Sequence, residues 1–125
     1  KDGSPSDTYY HVHKRPKEHQ MAYFNIGRGF PKELMDGHWC YVVKDLGYKM
    51  LIIPCTSIKK ESSPVNPHFE KDLTVLDEHG MITHSRVQLT DLRTVDIQRL
   101  DCRKPFYNVC DDQEEIRKFI IEHLF

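Results

Sequence analysis

In "WCYVVKDLGYKMLIIPC", residues 39–55, two apolar runs stand on either side of a turn. Trp39 to Val43 is rich in aromatic and β-branched residues, which suit a pleated, half-buried surface. "KDLGY" carries Gly47 and reads as a turn, and Lys49 to Pro54 resumes the strand. The pattern predicts an antiparallel hairpin with a bulged or longer loop. Leu51, Ile52 and Ile53 read as core, and Pro54, with no N–H to give a ladder, is expected to stop the pairing. Cys55, Thr56, Ser57 and the basic pair Lys59 and Lys60 follow at the mouth of that core. A strand end is a rigid platform for side chains, so this junction is a place to look for a site.

The rest of the chain repeats the theme of short strands. "AYFNIGRG" predicts a strand that ends in a glycine loop, and "LTVLDEHGMITHSRVQL" a second hairpin around "DEHG". "FPKELMDGHW" and "KKESSPVNPHFEKD" hold too many breakers for regular structure and read as loops. "DLRTVDIQRL" is open: Leu92, Val95 and Leu100 permit a helix, whereas Val95 and Ile97 alternate as in a strand. In "DDQEEIRKFIIEHLF" the first turn is acidic, as the positive end of a helix dipole favours. Asp112 and Glu115 resemble a capping box. Ile116, Phe119, Ile120 and Leu124 share one helical face. Many short strands and one terminal helix predict a mainly β protein, a small barrel or rolled sheet with a C-terminal α-helix. Residues 1–20 read as a polar tail or cover segment, and 21–125 as one barrel domain.

At 125 residues, with 38% hydrophobic and 30% charged, the chain has the composition of one globular domain. The formal net charge of -1 provides no global basic field, so any anion site has to be local. No apolar run approaches the roughly 20 residues that span a bilayer. The four cysteines show no C-x-x-C spacing, and Cys40 and Cys55 fall inside apolar runs as small hydrophobes. Free thiols in a cytoplasmic protein are the expectation, with a disulfide as the alternative. His11, His13 and His19 are either the ligands of a small metal site or part of a solvated segment; without a cysteine or carboxylate cluster to complete a site, neither metal nor cofactor is expected.

Several residues are candidates for chemistry. His38, in "DGHW", is of the type best suited to move protons near neutral pH, and equally suits a surface position. Arg28, between two glycines, has the planar fork that grips phosphate, or belongs to a simple turn. Thr56 and Ser57 either donate to an anionic oxygen, with Lys59 supplying charge, or cap the strand end. Trp39, the single tryptophan, is either core or a platform for a base. No Walker loop, dinucleotide fingerprint, H-E-x-x-H or G-x-S-x-G motif is present.

Three blocks taken together resemble the MazF/PemK family, the toxins of type II toxin–antitoxin modules. A glycine loop, an acidic residue and "GHWCYVV" are similar to the family's G-x-E…G-H/x-R-P-a-V-V block. "LIIPCTSIKK" is similar to its v-x-P-x-T-S/T block. "VQLTDLRTVDIQRL" is similar to Q-i-R-t-i-D-x-x-R-L, with Gln88, Arg93, Asp96, Arg99 and Leu100 in register. The match covers roughly residues 22 to 124.

The resemblance implies an SH3-like barrel of the MazF/PemK/CcdB kind, acting as a homodimer. It implies a metal-independent endoribonuclease that cuts single-stranded RNA by attack of a ribose 2′-hydroxyl, with an antitoxin protein as partner and no membrane. Thr56 matches the family's catalytic threonine. The family's Arg–Pro pair is replaced here by Trp39 and Cys40, so the expected catalytic set moves to His38 as acid/base and Arg28 as phosphate clamp. Glu33 is expected to orient one of them. Ser57, Lys59, Arg86, Gln88, Arg93 and Trp39 are the expected RNA contacts. A catalytically silent relative that binds RNA or a protein is the alternative.

Overall fold

The computed structural model describes residues 15–26, 37–58 and 63–124. Its strands are β1 (Gln20–Asn25), β2 (Gly37–Asp45), β3 (Lys49–Ser57), β4 (Glu70–Leu76), β5 (Ile82–Gln88), β6 (Arg93–Asp96) and β7 (Tyr107–Val109), followed by helix α1 (Gln113–Leu124). Every pairing is antiparallel. The sheet runs β2-β1-β7-β4-β5-β3, and pairing of β2 with β3 closes six strands into a barrel. The architecture is the small SH3-like barrel with a terminal helix that the sequence predicts. Closure removes the open edges that a six-stranded sheet of this size would otherwise expose.

Both hairpins form where turn chemistry places them. In the β2–β3 turn Gly47 takes φ 93°, a left-handed conformation that favours glycine. Asp45 Oδ1 accepts from the Gly47 N–H at 2.9 Å. The register shifts between Val42 and Lys44, within β2 and ahead of the three-residue turn 46–48. In the β4–β5 turn Asp77 Oδ1 accepts from the N–H groups of His79 and Met81, both at 2.8 Å, and Gly80 takes φ 81°.

Pro54 does not end β3. The strand continues to Ser57, and Pro54 pairs with Cys40 of β2. On its other edge β3 pairs with β6 through Ile52 and with β5 from Cys55 onward. Pro54 therefore falls in the gap where that edge changes partner, the place where a missing N–H costs no ladder bond.

Two apolar clusters hold the barrel. The first draws on all six ring strands, with Met21, Tyr41, Ile53, Leu73, Val87 and Val109, and so fills the interior; Ile116 and Ile120 of α1 close it. The second lies on the other face of β1–β3, where Phe24, Val42, Met50 and Ile52 pack under Val95 and Ile97. Strands β1–β3 are thus covered on both sides, which is why they read as continuous apolar runs rather than as alternating ones. The same packing resolves "DLRTVDIQRL": Val95 pairs with Met50, and a 3-10 turn, Ile97–Arg99, follows with Asp96 Oδ1 accepting from Gln98 N. Pairing to β3 overrides the weak helical spacing.

The end of the N-terminal segment is fastened to the barrel. Pro16 is buried, and Arg15 donates to Asp45 Oδ1 at 2.7 Å and to the Gly47 carbonyl at 2.6 Å. His19, at φ 72°, lies between Tyr41 Oη at 2.8 Å and the Asp111 carbonyl at 2.6 Å. A carbonyl only accepts, so Nε2 carries a proton and donates it to Asp111. At α1, Asp112 Oδ1 accepts from Glu114 N at 3.4 Å, one position earlier than a capping box requires. Cys40 and Cys55 are buried free thiols, while Cys102 and Cys110 are free and exposed. Among the described residues, no helix is long and apolar enough to cross a membrane.

Candidate functional site

The cleft that carries the candidate chemistry opens where β2 begins and β3 ends. Gly37 starts β2 against the Tyr23 ring, which a Cβ at that position would overlap. This close approach requires glycine and sets the direction in which the next residue leaves the strand. His38 then falls on the face of β2 shared with Cys40, by the two-residue alternation of strands. On β3, Pro54 lies opposite Cys40. Continuing that register by one alternation sets Thr56 across from His38, and both are exposed. Sequence alone placed His38 just before a strand; it is the second residue of one.

The third wall comes from the segment that leaves β5. A 3-10 turn, Leu89–Asp91, buries Leu89 and carries Thr90 and Asp91 outward before β6 begins at Arg93. The resulting cleft has a volume of about 500 Å³ and brings His38, Thr56 and Arg93 to one space, with Thr90 and Asp91 beside them. Ile26, Pro54 and Leu92 form its apolar surfaces. The Arg93 guanidinium is exposed, and no hydrogen bond or ion pair among the described residues engages it. Its charge is felt by the buried Cys40 thiol: burial pushes that thiol up to about 12, and Arg93 opposes the rise. An unengaged guanidinium, an imidazole and a hydroxyl facing one space can grip a phosphate, move a proton and donate to a developing oxyanion.

Other expected site residues are elsewhere. Arg86, although paired with Thr56 across β3 and β5, is buried and turned to carboxylates. Its Nε donates to Asp72 Oδ1 at 2.7 Å and its Nη1 to the Ser63 carbonyl at 2.8 Å, with Glu70 at 3.9 Å. Gln88 Nε2 donates to Glu70 Oε2 at 3.2 Å. These two side chains brace β4 against β5 and do not line the cleft. Trp39 points to the opposite face from His38, stacked on Tyr107 at 4.3 Å and edge-on to Tyr23 at 5.3 Å. Its packing against the interior cluster follows the core alternative of the sequence reading, and that stacking occupies a face a base would need. Ser57 is exposed at the end of β3, opposite Ser85. Arg28, Glu33 and Lys59 lie outside the described residues, as do His11 and His13.

Thr90 and Asp91 escaped the sequence reading. The signal was there in "LTDL", two polar residues between buried or half-buried leucines, which is the pattern of a turn that anchors its flanks and presents its middle. No cluster of His, Cys, Asp and Glu among the described residues has the arrangement that holds a metal ion. Compared with known proteins, the chain matches no family model and no curated protein.

Proposed function

We propose that the protein is a MazF/PemK-like endoribonuclease that cuts single-stranded RNA without a metal ion. The observation that carries this reading is the shared cleft of His38, Thr56 and Arg93. In the proposed reaction His38 takes the proton of a ribose 2′-hydroxyl, and the 2′-oxygen attacks the adjacent phosphorus in line. The guanidinium of Arg93 and the hydroxyl of Thr56 donate to the non-bridging oxygens as their charge grows. The bond from phosphorus to the 5′-oxygen breaks, that oxygen takes a proton from water at the open side of the cleft, and a 2′,3′-cyclic phosphate remains. Arg93 thereby fills the clamping role first assigned to Arg28. By the same resemblance the enzyme is a cytoplasmic homodimer held silent by an antitoxin.

The experiment is cleavage of a mixed single-stranded RNA in the presence of chelator, with a matched oligonucleotide carrying a 2′-deoxyribose at the cut site. Cleavage of the ribose strand and not of the deoxyribose strand is the expected result. Equal cutting of both would remove the 2′-hydroxyl mechanism. A second reading, a silent barrel that binds RNA or a protein, is favoured by one observation. The position where the family has arginine holds Trp39, which is packed inward and brings no charge to the cleft. Retention of RNA with no cleavage would select it.

A further inference from the structure

We infer that Asp91 makes the cleft selective for a guanine next to the scissile linkage, an inference that rests on the RNA-cleft reading above. A carboxylate in a cleft meant to hold a polyanion is a misplaced charge unless it accepts from something. Asp91 is exposed at the cleft wall, and no hydrogen bond or ion pair among the described residues engages its carboxylate. An ionised carboxylate only accepts, with two oxygens side by side. What it can accept from is a pair of adjacent N–H groups.

The four RNA bases differ in what their Watson–Crick edges offer to such a group. Guanine presents N1–H and N2–H side by side, a match for both oxygens at once. Adenine and cytosine each present one amino group next to a lone pair, and uracil presents one N–H between two carbonyls. A lone pair held against a carboxylate is repelled, so three of the bases are rejected as well as less well bound. Bases of single-stranded RNA are unpaired and can offer these edges. The neighbouring groups fit the remainder of guanine. The Thr90 hydroxyl, beside Asp91 on the same 3-10 turn, can donate to O6, and Leu92 and Pro54 give apolar surface for the ring. Arg93 and Thr56 stay on the phosphate, so one turn and the strand after it supply both the base reader and the clamp.

The test uses the full chain and short single-stranded RNAs that differ only in the nucleoside at the cut site: guanosine, inosine, adenosine, cytidine or uridine. Both cleavage and equilibrium binding are measured, with chelator present. Wild type should prefer guanine over adenine by about 5- to 150-fold. Inosine keeps N1–H and lacks the N2 amine, and should lose roughly tenfold. Asp91→Asn, whose amide offers one acceptor and one donor, should lose the guanine preference and shift toward adenine or cytosine; Asp91→Glu should keep the guanine preference. Equal rates and affinities for guanine and inosine in wild type, or an unchanged ranking of bases in Asp91→Asn, would overturn the assignment. If wild type cuts none of the RNAs, the ribonuclease reading falls while the binding ratios still decide whether Asp91 reads guanine.

Discussion

The cleft depends on single side chains whose neighbours explain their availability. Arg86 and Arg93 lie on two strands that both pair with β3, yet of the two only Arg93 is unengaged among the described residues; Arg86 is held by Asp72, Glu70 and a carbonyl. An arginine committed to carboxylates has little left for a phosphate, so charge in the sequence does not equal charge in the site. His38 lines the cleft, and in the proposed reaction it accepts the 2′-hydroxyl proton. Replacing it with Ala should lower the single-turnover cleavage rate by about 10²- to 10⁴-fold while leaving the thermal midpoint near wild type, because the side chain is exposed. A rate unchanged by that substitution would remove His38 from the mechanism.

The elements place those side chains, and two contacts can be tested at this scale. Gly37 lets β2 pass the Tyr23 ring, which is wedged between Trp39 and the Lys104 ammonium at 5.1 Å from its centroid. Gly37→Ala should push that ring aside at a cost of about 1–3 kcal/mol. Because Trp39 is the single tryptophan, its emission should change with the displacement of Tyr23. Helix α1 closes the barrel through Ile116, which is fully buried. Ile116→Ala should cost about 2–5 kcal/mol in chemical denaturation, far more than the same change at exposed Ile121. Similar losses at both positions would mean that α1 does not seal the interior. Both hairpins and the helix follow from turn residues and periodicity, which act over a few residues. The 92–100 segment and β7 do not, because the first takes its state from β3, some forty positions away, and the second from β1 and β4.

At the scale of the molecule, burial and ion pairing bound the stable pH range. The Arg15 guanidinium, through its hydrogen bonds, holds the Asp45 carboxyl below the ordinary aspartate value of 3.8, and Arg103 does the same for Asp101. Depressed carboxylates contribute stability that is present above 3.8 and lost as pH falls below it, when the folded form must be protonated. Burial raises the thiols of Cys40 and Cys55 above their ordinary 9.0, and the Tyr41 hydroxyl above 10.0. The unfolded chain ionises there first, so stability should decline as pH rises from about 9 toward 12. Urea midpoints measured against pH should fall below the acid limit and again above the alkaline one. Alkylation at pH 8 should mark Cys102 and Cys110 in the folded protein, and Cys40 and Cys55 only after unfolding. Short antiparallel strands, glycine turns and one terminal helix are legible in the residues themselves, since those choices rest on local sterics and the period of apolar residues. Long-range packing is what puts Pro54 inside a strand, turns Trp39 and Arg86 away, and brings Thr90, Asp91 and Arg93 beside His38 and Thr56. Alternation tells which residues share a face of one strand. Which faces meet is set by ladder register and barrel closure, and those are properties of strands far apart in the chain.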